Sequence, residues 1–182
     1  MTTHTFGSLG SLPGWMVARL TLLGCVVVIG GALFIEHVLG YPACKLCYQQ
    51  RVPYYVAMAV AAALSFPRVA RALPYGPLAL ALVFVAGAGL AGHHVGVEAG
   101  LWAGPTDCSG AAGAMAPSVA DFMSQLAKAR VANCAEPALR IFGLSLSAWN
   151  LVISAVAAGA LGYRALRRRI ARDVQGLGVG SR

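Results

Sequence analysis

The chain has 182 residues, 58% of them apolar and only 11% charged, and its mean hydropathy of +0.70 excludes an ordinary water-soluble domain. The formal net charge of +8 does not mark a nucleic-acid binder, because the cations cluster at the ends of apolar runs. Arg68 and Arg71 lie between the second and third run, and Arg164, Arg167, Arg168, Arg169 and Arg172 follow the last, the pattern of a topology signal facing anionic headgroups.

Residues 1–14 are polar and rich in Gly, Ser and Thr, which predicts a loose tail lacking the basic start and cleavage site of a signal peptide. Four apolar runs approach the thickness of a bilayer core, about 30 Å. The first span is expected over about 15–35, with Arg19 snorkelling toward one face and Glu36 and His37 marking the other.

A short link, 36–47, carries Cys44 and Cys47. Pro42 keeps Tyr41 out of helical geometry, so the chain should enter this pair extended and leave it as a helix. Two thiols at this spacing can close a small disulfide ring, and the second sulfur would lie near the positive end of the helix dipole, where a thiolate is favoured. Arg51 follows Cys47 by four residues, one helical turn, which suits a charge on the same face. The second span is expected over about 48–66, with Pro53 in its first turns and Pro67 and Pro74 punctuating a basic turn.

The third span, about 75–95, carries Ala86, Gly87, Ala88, Gly89, Ala91 and Gly92, small residues that let helices approach closely, and ends with His93 and His94. Residues 96–140 form the one long loop, with Cys108, Cys134 and most of the acidic side chains. Within it Val119, Phe122, Met123 and Leu126 recur at helical spacing opposite polar Asp121, Gln125 and Lys128, which predicts a short amphipathic helix on the membrane or packed on the loop. The last span is expected over about 141–163, followed by the Arg cluster and a flexible, Gly-rich end at 173–182. Basic residues in the second turn and the C-terminal tail place both termini in the cytoplasm and both cysteine-bearing loops outside, where disulfides persist.

Cys44, Cys47, Cys108 and Cys134 allow three pairings. Cys44 with Cys47 is the local pair, leaving Cys108 with Cys134. The second pair suits a structural staple across a loop, or thiol-disulfide exchange with the first. Haem attachment fails because Tyr48 follows Cys47, and no metal is assigned, since Cys44, Cys47, His93 and His94 lack a second short-spaced ligand pair of usual form. Cys25, in mid-span, reads as a small buried hydrophobe. His93 and His94 suit either an interfacial position or a site that binds a quinone carbonyl or passes protons, and Glu98 stands one turn from His94. Arg51 suits either a headgroup anchor or stabilisation of a Cys47 thiolate or of a reduced cofactor's negative charge.

Taken together, Cys44-Lys-Leu-Cys47 with Arg51, His94-Val-Gly-Val-Glu98 before Gly104-Pro-Thr-Asp-Cys108, and Asn133-Cys134-Ala-Glu136 before the last span resemble the DsbB family of bacterial inner-membrane disulfide bond formation proteins. The resemblance implies an all-α, integral membrane four-helix bundle with a short amphipathic helix in its outer loop, from about Ser118 to Ala129. It implies a thiol oxidase that reoxidises a periplasmic thioredoxin-like (DsbA-like) partner and passes electrons to ubiquinone or menaquinone from the membrane pool. Carried over by residue, Cys108 receives the partner's thiolate, Cys134 attacks the Cys44–Cys47 disulfide at Cys44, and Cys47 donates to the quinone, with Arg51 near its ring and His94 at its site. Cys25 and the long N-terminal tail have no counterpart in that pattern. The competing expectation is a non-enzymatic four-span scaffold with a disulfide-stapled outer loop.

Overall fold

A computed structural model describes residues 12–105, 118 and 133–179 of the chain. Its elements, in order, are α1 (Gly14–His37), α2 (Lys45–Leu64), a short α3 (Pro67–Ala72), α4 (Gly76–Glu98), the two-residue strands β1 (Arg140–Ile141) and β2 (Leu144–Ser145), and α5 (Leu146–Val179). Cys108 and the expected loop helix after Ser118 lie outside the described residues.

The long helices pack in a chain of neighbours, α1 on α2, α2 on α4, and α4 on α5. Their common core takes Val17, Ala18, Cys25 and Ile29 from α1, Tyr54, Ala57, Ala61 and Leu64 from α2, Leu80, Ala81 and Phe84 from α4, and Leu161 from α5. Cys25 is fully buried there, as its apolar neighbourhood in the sequence predicts. Tyr54 and Phe84 meet edge to face, with ring centroids 5.8 Å apart, a pairing worth about 1 kcal/mol beyond burial. Small residues set the helix spacing: a Cβ on Gly87 would sit 3.4 Å from both Pro53 of α2 and Ser154 of α5.

The outer surface is apolar. Leu23, Val27, Leu82 and Val156 are each at least 60% exposed, a pattern water disfavours and lipid accepts. Among the described residues, α1, α4 and α5 from Leu146 to Val174 are long and apolar enough to cross a membrane, and the chain is a largely helical membrane protein. At 20 residues, α2 extends for about 30 Å but is less apolar, because its first turns carry Lys45, Gln49, Gln50 and Arg51. Gln50 and Arg51 are buried against the other helices.

Several boundaries differ from the sequence expectation for physical reasons. Helix α2 starts at Lys45, since the Cys44 sulfur caps it. The basic turn after the second span contains α3, opened by Pro67 at its first position. The last helix begins at Leu146 and not near 141, because residues 140–145 fold into a hairpin. Phe142 and Gly143 form its two-residue turn, both with positive φ (52° and 83°), as the tight turn requires. Trp149 closes the junction by donating from Nε1 to the Ile141 carbonyl at 3.0 Å. Helix α5 continues to Val179, so residues 173–179, assigned to a flexible end by their glycines, are helical.

Candidate functional site

The chain enters the cysteine pair extended and leaves it helical, as Pro42 dictates. Cys44 is the N-cap of α2, with φ −78° and ψ 170°, and its Sγ accepts a hydrogen bond from the Cys47 backbone N–H at 3.3 Å. Sulfur thus occupies the place of a capping Ser or Asp oxygen. Cys47 is the third residue of the helix, within the turn where the macrodipole favours negative charge.

The two residues are held as thiols in contact, with Cys44 Sγ donating to Cys47 Sγ at 3.0 Å. Both precede the apolar stretch of α2. The contact with Cys47, reinforced by burial, pushes the Cys44 thiol up to about 12. The Cys44 hydrogen bond, followed by weaker contributions that include the Arg51 charge, holds Cys47 below the ordinary thiol value against the opposing effect of burial. The pair is therefore asymmetric, with Cys47 the more readily ionised of the two.

Helix α4 brings His94 to the other side of Cys44, with Nε2 3.7 Å from Sγ. Gln50, three residues after Cys47, meets His94 Nδ1 at 2.5 Å through its amide nitrogen and accepts from Asn150 Nδ2 of α5 at 2.5 Å through its oxygen. Tyr54 donates to Asn150 Oδ1 at 2.6 Å, and Ser154 extends the chain. Below the ring, Glu98 Oε1 lies 3.8 Å from Nε2 and accepts from Ser147 at 2.7 Å. Helix α4 persists through Glu98, so the expected one-turn relation between His94 and Glu98 exists. His93 points away, exposed and stacked on Trp102, leaving His94 as the histidine that faces the dithiol.

Cys134 is buried and packs in one cluster with Cys44, Leu46 and Val97, against which Cys47 also rests. Its turn is fixed by Asn133, whose side-chain oxygen accepts from the Ala135 N–H at 3.0 Å. Three of the four cysteines singled out in the sequence are thus brought together, and the fourth, Cys108, is outside the described residues.

Arg51 is turned inward. It is 9% exposed, pairs with Glu36 of α1 at 2.6 Å and lies 4.9 Å above the Tyr48 ring, while the Tyr48 hydroxyl donates to Glu36. Two cavities meet at this corner. The more polar one, of about 260 Å³, takes Cys44, Cys47, His94, Glu98, Asn133 and Glu136 in its lining beside Pro42, Pro137 and Leu139. A largely apolar one of about 290 Å³, between α1 and α5, is lined by Val27, Val28, Ile35 and Ile153, with Gln50, Arg51 and Asn150 as its polar end. Cys47 lines both, whereas His94 lines only the polar one.

Sequence reasoning missed Gln50, Tyr54, Asn150, Ser147 and Ser154. Their signal was available: polar side chains inside apolar helices are costly unless they are partnered.

The family model described as disulfide bond formation protein DsbB matches residues 15–163. Disulfide bond formation protein B 1 of Pseudomonas fluorescens (strain Pf0-1) is 33% identical over 141 residues, covering 73% of this chain and 79% of that protein. Disulfide bond formation protein B of Marinobacter nauticus is 35% identical over 144 residues, covering 73% and 80%. The protein of the same name from Saccharophagus degradans is 31% identical over 150 residues, covering 78% and 87%. No solved structure matches. With a buried cysteine pair at the head of a helix in a membrane protein, and a family match over most of its length, the chain belongs to the DsbB family of disulfide bond formation proteins.

Proposed function

We propose that the chain is a four-span thiol oxidase of the bacterial inner membrane. It reoxidises a periplasmic thioredoxin-like (DsbA-like) thiol oxidant and delivers two electrons to ubiquinone or menaquinone. Helix α2 is the fourth span, its polar turns turned inward among α1, α4 and α5. Both termini are cytoplasmic, and the cysteine-bearing loops are periplasmic.

In this reading a partner thiolate attacks the Cys108–Cys134 disulfide at Cys108, and the second partner thiol resolves the mixed disulfide. The partner leaves oxidised. Cys134, released as a thiolate, attacks Cys44, and Cys47 departs as a thiolate. Attack by the Cys108 thiolate on the Cys44–Cys134 bond restores the loop disulfide and leaves Cys44 and Cys47 reduced. Two electrons and two protons have then moved from the partner to this pair.

The carrying observation is that Cys47 lines both cavities, one shared with Cys44 and His94 and the other the apolar space between α1 and α5, while it also packs against the cluster that holds Cys134. The apolar cavity fits a quinone: aliphatic walls suit an isoprenoid substituent, and Arg51, Gln50 and Asn150 offer N–H donors to carbonyl oxygens. A quinone bound there supplies the two-electron acceptor. Arg51 orients the ring and favours negative charge, Glu36 and Tyr48 hold Arg51 in place, and His94 exchanges a proton with Cys44.

The test is reduction of ubiquinone by a reduced thioredoxin-like periplasmic protein, using the purified chain in detergent. Turnover is expected from the unaltered chain and none from Cys47→Ser. Full turnover in that variant would overturn the reading.

A further inference from the structure

The reduced site is a set of soft metal ligands already gathered. Cys44 Sγ, Cys47 Sγ and a His94 ring nitrogen all lie within 4.8 Å of one another, two of the three residues being buried. We propose that the reduced dithiol and His94 form a zinc-binding site, which captures Zn²⁺ from the periplasmic side and blocks reoxidation of the pair.

The geometry is close to that required. Tetrahedral zinc with sulfur at about 2.3 Å and nitrogen at about 2.0 Å needs donor-to-donor distances of roughly 3.5 to 3.8 Å. The Cys44–His94 separation is 3.7 Å, and the two sulfurs, 3.0 Å apart, need to separate by less than about 1 Å. The fourth corner opens into the polar cavity, where Glu98 or water completes the shell. A half-turn of the Gln50 amide places its oxygen on the His94 Nδ1 hydrogen and frees the Nε2 lone pair for the metal, with Asn150 turning in concert. His93, on the opposite side of α4 against Trp102, takes no part.

Binding converts two thiols to zinc thiolates and releases two protons, with no electron transferred. The oxidised pair has no thiolate to offer, so the site exists only in the reduced state. While zinc is bound, both sulfur lone pairs are engaged and the disulfide cannot re-form. The capture itself does not depend on the quinone reading; its inhibitory consequence does.

Cobalt(II) is the probe, because thiolate ligation gives it a charge-transfer band and tetrahedral geometry gives intense visible bands. The full chain in detergent, reduced with a phosphine under anaerobic conditions, is titrated with Co²⁺ and back-titrated with Zn²⁺. One equivalent of thiolate-ligated Co²⁺, displaced by Zn²⁺, is expected for the reduced chain, and none for the same chain with Cys44 and Cys47 oxidised, a control that needs no substitution. His94→Ala should weaken binding at least tenfold, while His93→Ala should leave it unchanged. No thiolate band in the reduced chain, or an equal band in Cys44→Ser and Cys47→Ser, would overturn the proposal. Metal-free turnover is measured separately, so loss of that activity counts against the thiol oxidase reading and not against the site.

Discussion

His94 Nε2 lies 3.7 Å from Cys44 Sγ across a separation of fifty residues, and the same ring is held from behind by Gln50 at 2.5 Å. In the tautomer that lets the Gln50 amide nitrogen donate to Nδ1, the ring hydrogen resides on Nε2 and points toward the sulfur. A proton donor is thereby aimed at the cysteine that packs in one cluster with Cys134, and not at the apolar cavity, which His94 does not line. His94→Ala should therefore lower kcat by about a hundredfold, the lower end of what a positioned acid or base contributes. The KM for quinone should change little. A raised KM with unaltered kcat would place the ring at the quinone instead.

Gln50 is the hinge of a hydrogen-bond chain that joins α2, α4 and α5 through His94 and Asn150. Gln50→Leu fills the space but leaves a ring nitrogen and an amide N–H without partners. Each buried group so abandoned costs about 1 to 3 kcal/mol. Thermal unfolding in detergent should show a clearly lowered midpoint, whereas Gln50→Glu, which still accepts from Asn150, should lose less. Equal stability of Gln50→Leu and the unaltered chain would mean that the chain of bonds does not hold the helices together.

The asymmetry between the two thiols sets a pH order. Cys47 is pulled down from, and Cys44 pushed far above, the value of an ordinary thiol. A lowered value means that the Cys47 thiolate forms at lower pH than the Cys44 thiolate and is lost only as pH falls through that lowered value. Iodoacetamide should accordingly modify Cys47 first, at a rate that climbs with pH and levels off long before that of Cys44. Cys44 should stay unmodified until Cys47 has reacted. Peptide mass spectrometry of briefly alkylated, reduced chain decides the order, and faster labelling of Cys44 would contradict it.

Much of this arrangement was legible in the sequence. Apolar length gave the helices, Pro42 gave the extended entry to Cys44, and one helical turn related His94 to Glu98. The position of Arg51 was open because a span-end arginine reads equally well as an anchor. Its burial follows from Glu36, a carboxylate on another helix, and spacing along one helix carries no information about that partner. The hairpin was missed for a related reason: Ile141, Phe142 and Leu144 are apolar enough to join a span, and Phe142-Gly143 is not a strong turn signature. Gln50, Asn150 and Ser154 were hidden among residues read only for hydropathy.

The Arg51–Glu36 pair allows folding and function to be separated. Its side chains are only 10% and 13% exposed, so removing one leaves the other poorly solvated. Arg51→Met alone should destabilise the chain by about 3 kcal/mol. Adding Glu36→Gln removes the stranded carboxylate and should restore most of that stability, but not turnover, since the cavity has lost its cation. Thermal unfolding and quinone reduction are measured on all three variants. Turnover restored in the double variant would reduce Arg51 to a structural partner of Glu36.

Gly87 tests the packing on which the site depends. An added Cβ would sit 3.4 Å from Pro53 Cβ and from Ser154 Oγ, so Ala is accommodated only by a small adjustment at a three-helix contact. Val adds two methyl groups where neither neighbour can rotate away, since Pro53 is a ring within α2 and Ser154 is fully buried. Overpacking of this kind costs about 1 to 3 kcal/mol. The consequence should reach the site, because Pro53 lies three residues from Gln50 and Ser154 one turn from Asn150, the residues that link the helices behind His94. Gly87→Val should lower both the unfolding midpoint and kcat, and Gly87→Ala should leave both near those of the unaltered chain. A Gly87→Val chain as stable and as active as the original would show that α2, α4 and α5 are not packed as closely as this contact requires.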